Sequence, residues 1–149
     1  MSKVIRQAGV IPFRVVDGAL RVLLITSRDT GRWVIPKGGI EAGFSAPEAA
    51  LREAFEEAGI KGVIDRKPLG IYLYEKRLRS GRVRVASVTV FGLRVEKQLR
   101  KFPERQQRQA EWMAPDAAAL AVEEPGLAML FGRLVEVLAG AGKRKVAAA

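Results

Sequence analysis

The sequence predicts an α+β domain, and three observations carry that reading. Two apolar, branched runs are joined across Asp17-Gly18, a capped helix follows in the middle of the chain, and two further strand-like runs precede a terminal helix with an apolar stripe. A chain of 149 residues has room for one domain with one sizeable core. It shows no internal repeat and no second domain, so the single domain spans residues 1–149, with a frayed tail expected over residues 143–149.

In chain order, residues 8–16 and 20–26 read as strands, and Asp17-Gly18 between them is a strong hairpin signal. Residues 33–35 form a short strand that Pro36 closes, and Gly38-Gly39 reads as a turn into the central helix. Residues 69–77 and 82–95 are two long strands separated by Ser80-Gly81. Residues 97–111 are polar and basic and read as loop, Trp112-Met113 as a last short strand, and residues 115–120 as a helical turn. Residues 125–139 form a helix with Leu127, Leu130, Leu134 and Leu138 on its core side.

The central helix carries most of the chemical information. Ser45 with Glu48 three residues on is a capping box, and Gly59 is a natural C-terminal stop, which frames roughly 13 residues. At about 100° per residue, Leu51, Phe55 and Ala58 fall on one stripe, with Glu53, Glu56 and Glu57 opposite. A solvated face normally sets Lys or Arg four residues from Glu, whereas here Glu53 meets Glu56 and Glu57 without a Lys between them. Such crowded carboxylates call for a cation, and a hard divalent ion takes oxygen ligands of this kind.

Composition narrows the chemistry further. The chain has no cysteine, which excludes disulfides and thiolate catalysis, and no histidine, so proton transfer falls to a carboxylate, a Lys, a Tyr or metal-bound water. No apolar run approaches the roughly 20 residues of a membrane span, and the first residues do not read as a signal peptide, so the expected location is cytoplasmic without membrane association. The net charge of +10 is unevenly spread: residues 76–108 hold 11 basic and 2 acidic residues, residues 38–60 hold 5 acidic and 1 basic. An acidic cluster for metal beside a basic surface for phosphate suits polyphosphate cleavage; a generally basic surface or a nucleic-acid patch is the alternative.

Residues 38–60, GGIEAGFSAPEAALREAFEEAGI, resemble the signature of the Nudix hydrolases, G-x5-E-x7-R-E-U-x-E-E-x-G-U with U a bulky aliphatic residue. Gly38, Arg52, Glu53, Glu56, Glu57, Gly59 and Ile60 stand at their places. Ala54 fills the first U place, and Phe44 replaces the first glutamate, with Glu41 three residues earlier as the candidate to take over part of its role. The resemblance implies a mixed-sheet α/β/α sandwich. It also implies a metal-dependent pyrophosphohydrolase in which Glu53, Glu56 and Glu57 hold Mg²⁺, or alternatively Mn²⁺. Arg52 orients a carboxylate, and either Glu53 or Glu56 accepts the proton of the attacking water.

The flanks resemble diphosphoinositol polyphosphate phosphohydrolases, which overlap in activity with diadenosine polyphosphate hydrolases. The likeness runs through residues 28–39, Gly70-Ile71-Tyr72, Arg82 and Arg84, and Arg108 four places before Trp112. It implies that Arg28, Arg32, Lys37, Arg84 and Arg108 hold a crowded polyphosphate, with Arg14 and Arg82 as weaker candidates, while Gly38 and Gly39 let the backbone approach phosphate. Trp33, Tyr72 and Tyr74 read as packing before stacking platforms, and Glu104 is a further candidate for ligand or base. The expected partner is a polyphosphorylated small molecule such as a diphosphoinositol polyphosphate or diadenosine polyphosphate. Two other readings stay open: an RNA 5′-end pyrophosphohydrolase, and a catalytically weakened polyanion-binding module.

Overall fold

Asp17 and Gly18 both have positive φ, 50° and 77°, the backbone of a tight two-residue hairpin turn. They join β1 (Ile5–Val16) to β2 (Ala19–Thr26). These strands belong to a computed structural model that describes the backbone of residues 3–148 and the side chains of residues 3–141. The chain continues through β3 (Trp33–Val34), β4 (Lys37–Gly39), α1 (Ala46–Ala58), β5 (Ile60–Ile64), β6 (Gly70–Arg77) and β7 (Val83–Gln98). A 3-10 turn (Arg105–Gln107), β8 (Ala110–Met113), α2 (Pro115–Ala121) and α3 (Pro125–Ala148) complete it. Among the described residues no helix is long and apolar enough to cross a membrane.

The sheet is mixed. β1 runs parallel to β7, from Ile5 opposite Ala86 to Phe13 opposite Arg94, and the remaining pairs are antiparallel. Because side chains alternate across a strand, β1 and β2 feed two cores. Ala8, Val10, Leu23 and Ile25 face α1, while Ile11, Phe13, Val22 and Leu24 face α2 and α3. Helices thus cover both faces in the α/β/α sandwich that the sequence implied, which is why these strands read as nearly continuous apolar runs.

The other edge of β1 is shared: Phe13–Val16 pair with β2, whereas Gln7–Gly9 pair with β4. The Val10 N–H donates to the Pro36 carbonyl at 3.1 Å across the seam. Gly38-Gly39, expected as a turn, is therefore part of a short strand, and this split edge brings residues 37–39 alongside α1.

The cap expectations for α1 hold in detail. Ser45 Oγ accepts from the Glu48 N–H at 3.2 Å, the Glu48 carboxylate accepts from the Ser45 N–H at 3.3 Å, and Gly59 sits at φ 66°. The buried face keeps Ala58 of the expected stripe but is otherwise shifted. It consists of Ala49, Ala50, Ala54, Glu57 and Ala58, with Leu51 and Phe55 only half-buried. Alanines let the helix lie close on the sheet, and large side chains there would hold it off. At about 100° per residue, Glu53 and Glu57 fall within about 60° of Ala50, so they point inward, while Arg52 and Glu56 lie on the outer side.

Other differences are local. β5 goes unrecognised in the sequence because it is only five residues and alternates weakly; it pairs with the distal half of β7. The expected loop over 97–111 instead contains the end of β7, the 3-10 turn and the start of β8. α3 continues past residue 139, with Leu127, Phe131 and Leu134 almost fully buried. The expectation of a frayed tail concerns residues whose side chains, and for residue 149 the backbone, lie outside the described residues.

Candidate active site

Glu53 and Glu57, one helical turn apart on the inner side of α1, lie within hydrogen-bonding reach of each other. Glu57 is 7% exposed. Burial pushes its carboxyl up to about 8, and the contact with Glu53 adds to this, while Arg108 and Lys37 oppose it. Burial likewise raises Glu53, with Glu56 and Glu104 adding to the effect. Two carboxylates this close share a proton or a cation. Gly38 is what admits them, since a Cβ at that position would overlap the Glu53 carboxylate.

β4 contributes the next wall. The Lys37 N–H donates to Glu57 Oε1 at 3.3 Å, and Lys37 Nζ lies 4.8 Å from the centre of the Tyr74 ring. Burial lowers the Lys37 pKa, with Glu57 pulling it back up. The Tyr74 hydroxyl donates to Gln7 Oε1 at 2.8 Å, while Tyr72 lies in the core. Trp33 packs against the same core, as expected.

The loop before β8 closes the other side. The Glu104 N–H donates to the Glu56 carbonyl at 3.0 Å, and the Phe102 ring fills the space beside Gly59. Arg108 donates from Nε to Glu104 Oε1 at 3.0 Å, with Nη2 ion-paired to the same oxygen at 2.9 Å, donates from Nη1 to the Thr26 carbonyl at 3.1 Å, and reaches Glu57 Oε1 at 3.7 Å. Glu104 thus joins the carboxylate cluster through Arg108.

The structure brings Lys37, Gly38, Arg108, Glu53 and Glu57 together, while Arg52 and Glu56 pair with each other on the outer side of α1. Gly39 lines a narrow cleft with Glu41, Phe44, Ala49, Arg52 and Glu53. The arginines expected to hold phosphate are otherwise engaged. Arg28 bonds Gln107 at 3.0 Å and lies 3.7 Å from Glu104; Arg32 bonds Glu124 at 2.8 Å and lies 3.8 Å from Glu123. Arg52 bonds Glu56 at 3.0 Å and Glu41 at 3.1 Å. Arg84 donates to the Lys3 carbonyl and Arg14 stacks at 4.0 Å on Trp112, while the Arg82 backbone N–H donates to Ser80 Oγ.

Sequence reasoning missed Glu123 and Glu124. The signal available was an acidic pair immediately before Pro125, the start of α3. Glu124 is 9% exposed, with Oε1 unpartnered among the described residues. Five cations (Arg28, Arg32, Lys37, Arg52 and Arg108) therefore stand among seven glutamates, an environment that an anionic substrate enters only with added positive charge.

Among the described residues no three acidic side chains converge as a ready metal cage. Two do, and the pair of buried Glu57 and half-buried Glu53 supplies oxygen donors only, which fits a hard divalent cation.

The NUDIX domain family matches residues 5–131. The chain belongs to the Nudix family. It is 34% identical over 125 residues to Nudix hydrolase 13, mitochondrial, of Arabidopsis thaliana, covering 71% of this chain and 61% of that protein. It is 36% identical over 84 residues to diphosphoinositol polyphosphate phosphohydrolase 2 of Mus musculus, covering 56% of this chain and 46% of that protein. The chain spans 61% and 48% of the length of two Arabidopsis Nudix relatives that it matches. The fold superposes on a Caenorhabditis elegans Ap4A hydrolase binary complex with a TM-score of 0.71 at 22% identity, covering 92% of this chain and 99% of that one. Nudix hydrolases use divalent metal ions, in keeping with the paired carboxylates.

Proposed function

We propose that this Nudix chain is a metal-dependent pyrophosphohydrolase that opens a phosphoanhydride bond in a small polyphosphorylated molecule. The observation that carries the reading is the Glu53–Glu57 pair at the inner side of the Nudix helix, Glu57 buried and the half-buried Glu53 seated against Gly38. Glu53, Glu57 and Glu56 would hold Mg²⁺ or Mn²⁺, which when bound supplies an acidified water and neutralises phosphate charge. Arg108 and Lys37 offset the charge behind Glu57, and the Arg52 guanidinium fixes Glu56. A carboxylate oxygen of Glu53, the glutamate of the pair that opens into the cleft, accepts the proton of the attacking water. Expulsion of the neighbouring phosphate completes the exchange of one P–O bond for another.

The charge balance bears on the substrate. Arg32 and Arg108 are committed to carboxylates and Arg28 bonds Gln107, so a fully phosphorylated ring would have to displace the partners of the two committed arginines. This favours a molecule with a short phosphate chain, of the diadenosine polyphosphate kind named for one structural neighbour, over a diphosphoinositol polyphosphate as named for one relative. Location is proposed as cytoplasmic, although several relatives are named as mitochondrial.

A phosphate-release screen with Mg²⁺ or Mn²⁺ over diadenosine polyphosphates, nucleotide sugars, inositol pyrophosphates and 5′-triphosphate RNA tests the proposal. Hydrolysis of a short-chain substrate that falls by orders of magnitude in Glu57→Gln and in Glu56→Gln is expected. Wild-type rates in both variants would reject the carboxylate assignment. RNA binding that persists in them without any hydrolysis would support a binding module instead.

A further inference from the structure

Where the Nudix signature has a glutamate, this chain has Phe44, and the structure shows what stands in its place. The Phe44 N–H donates to the Glu41 carbonyl at 3.1 Å, and Gly43 between them has φ 88°. Residues 41–44 therefore form a β-turn, whose ends lie within about 7 Å of each other. A carboxylate moved from position 44 to position 41 starts from a neighbouring point and can reach the same target.

That target is Arg52. Its Nη1 donates to Glu41 Oε2 at 3.1 Å, its Nε donates to Glu56 Oε1 at 3.0 Å, and its guanidinium carbon lies 5.4 Å from the centre of the Phe44 ring. We propose that Glu41 carries the charge that position 44 lacks, and that Glu41 and Phe44 together clamp Arg52 so that it holds Glu56 in place. The inference rests on the reading of Glu53, Glu56 and Glu57 as the metal-binding set.

Geometry makes the clamp necessary. An i, i+4 pair such as Arg52–Glu56 on a half-exposed helix face is weak by itself and does not hold both side chains in one rotamer. The guanidinium is a rigid planar fork, so a second anchor from the loop fixes its plane and with it the direction of the Nε donor. The ring of Phe44 flanks the cation from a third side. Glu41 is thereby spent on Arg52 and is a positioning residue, distinct from the oxygen donors of the cation.

The test uses the full chain as wild type, Glu41→Gln, Phe44→Glu and the double variant Glu41→Gln/Phe44→Glu. Two properties are read: the Arg52 Nε–H NMR signal in metal-free protein, and Mn²⁺ affinity by calorimetry without substrate. Glu41→Gln should lose the slowly exchanging Nε–H signal and weaken Mn²⁺ binding by about tenfold, the size of effect seen when an outer partner of a metal ligand is removed. The double variant, with its carboxylate back at position 44, should recover both to within about twofold of wild type, and Phe44→Glu alone should retain both. A Glu41→Gln protein with wild-type signal and affinity, or a double variant that recovers neither, overturns the clamp. A wild-type protein that binds no Mn²⁺ overturns the metal reading instead, and the Nε–H signal then decides the clamp by itself.

Discussion

A Cβ at position 38 would overlap the carboxylate of Glu53, whereas at position 39 it would meet no atom within 4 Å. Gly38→Ala should therefore displace Glu53 and cut turnover by roughly 100-fold or more, the cost of misplacing a catalytic group. Gly39→Ala should stay within a few-fold, and steady-state kinetics on the two variants checks the contrast. Glu57 makes a second prediction, through pH. Its folded pKa is raised to about 8 from 4.5, so between those values the metal-free folded state holds a proton that the unfolded state has released. Stability contributed by this group is full at the low end of that window and is lost as pH rises through it, by up to about 1.4 kcal/mol per unit. Urea denaturation in EDTA from pH 5 to 8 should show this decline in wild type and a flatter profile in Glu57→Gln. Added Mg²⁺ should stabilise wild type more at pH 8 than at pH 5, because the cation displaces the proton.

At the scale of the element, α1 was legible from sequence in its start, its stop and its length, since caps depend on residues within one turn of the end. Its buried face was not. The large residues Leu51 and Phe55 suggested one side, but the sheet takes the side centred on Ala50 and Ala54, with Ala58 of the expected stripe at its margin, where the helix brings Glu53 over Gly38. Side-chain size in sequence indicates what can be buried and does not indicate how close two backbones come. Ala54→Leu should accordingly destabilise by about 1–3 kcal/mol or more and depress activity by lifting the helix. Leu51→Ala should cost less than the 2–5 kcal/mol typical of a fully buried leucine. Urea unfolding of the pair decides which face is the core face.

For the whole molecule, the formal charge of +10 gives a misleading picture of the site. Arg84 of β7 donates to the Lys3 carbonyl, and the arginines that reach the site glutamates are their counter-ions. Arg108 is the clearest instance, tying β2, α1 and the loop before β8 through Thr26, Glu57 and Glu104 with a side chain only 10% exposed. Arg108→Gln should lower stability by about 3 kcal/mol, because it strands buried carboxylates. Arg84→Gln should remain within about 0.5 kcal/mol of wild type. Equal losses in chemical denaturation would contradict this division between structural and surface arginines.

The sequence by itself determined the α+β class, the Asp17-Gly18 hairpin, the capped glutamate helix and the positions of Arg52, Glu53, Glu56 and Glu57 along it. Each of these follows from turn chemistry, capping or helical period, which act over a few residues, or from the fixed spacing of the Nudix signature. Only the tertiary structure decided which carboxylates are buried, which arginines they neutralise, and that Glu41 and Phe44 both meet Arg52. Those outcomes depend on the split edge of β1, on the closeness of α1 to the sheet, and on partners such as Arg108 and Thr26, 82 residues apart. A charge acquires its pKa and its role from the groups that folding packs around it, and that company is set by the packing of distant segments.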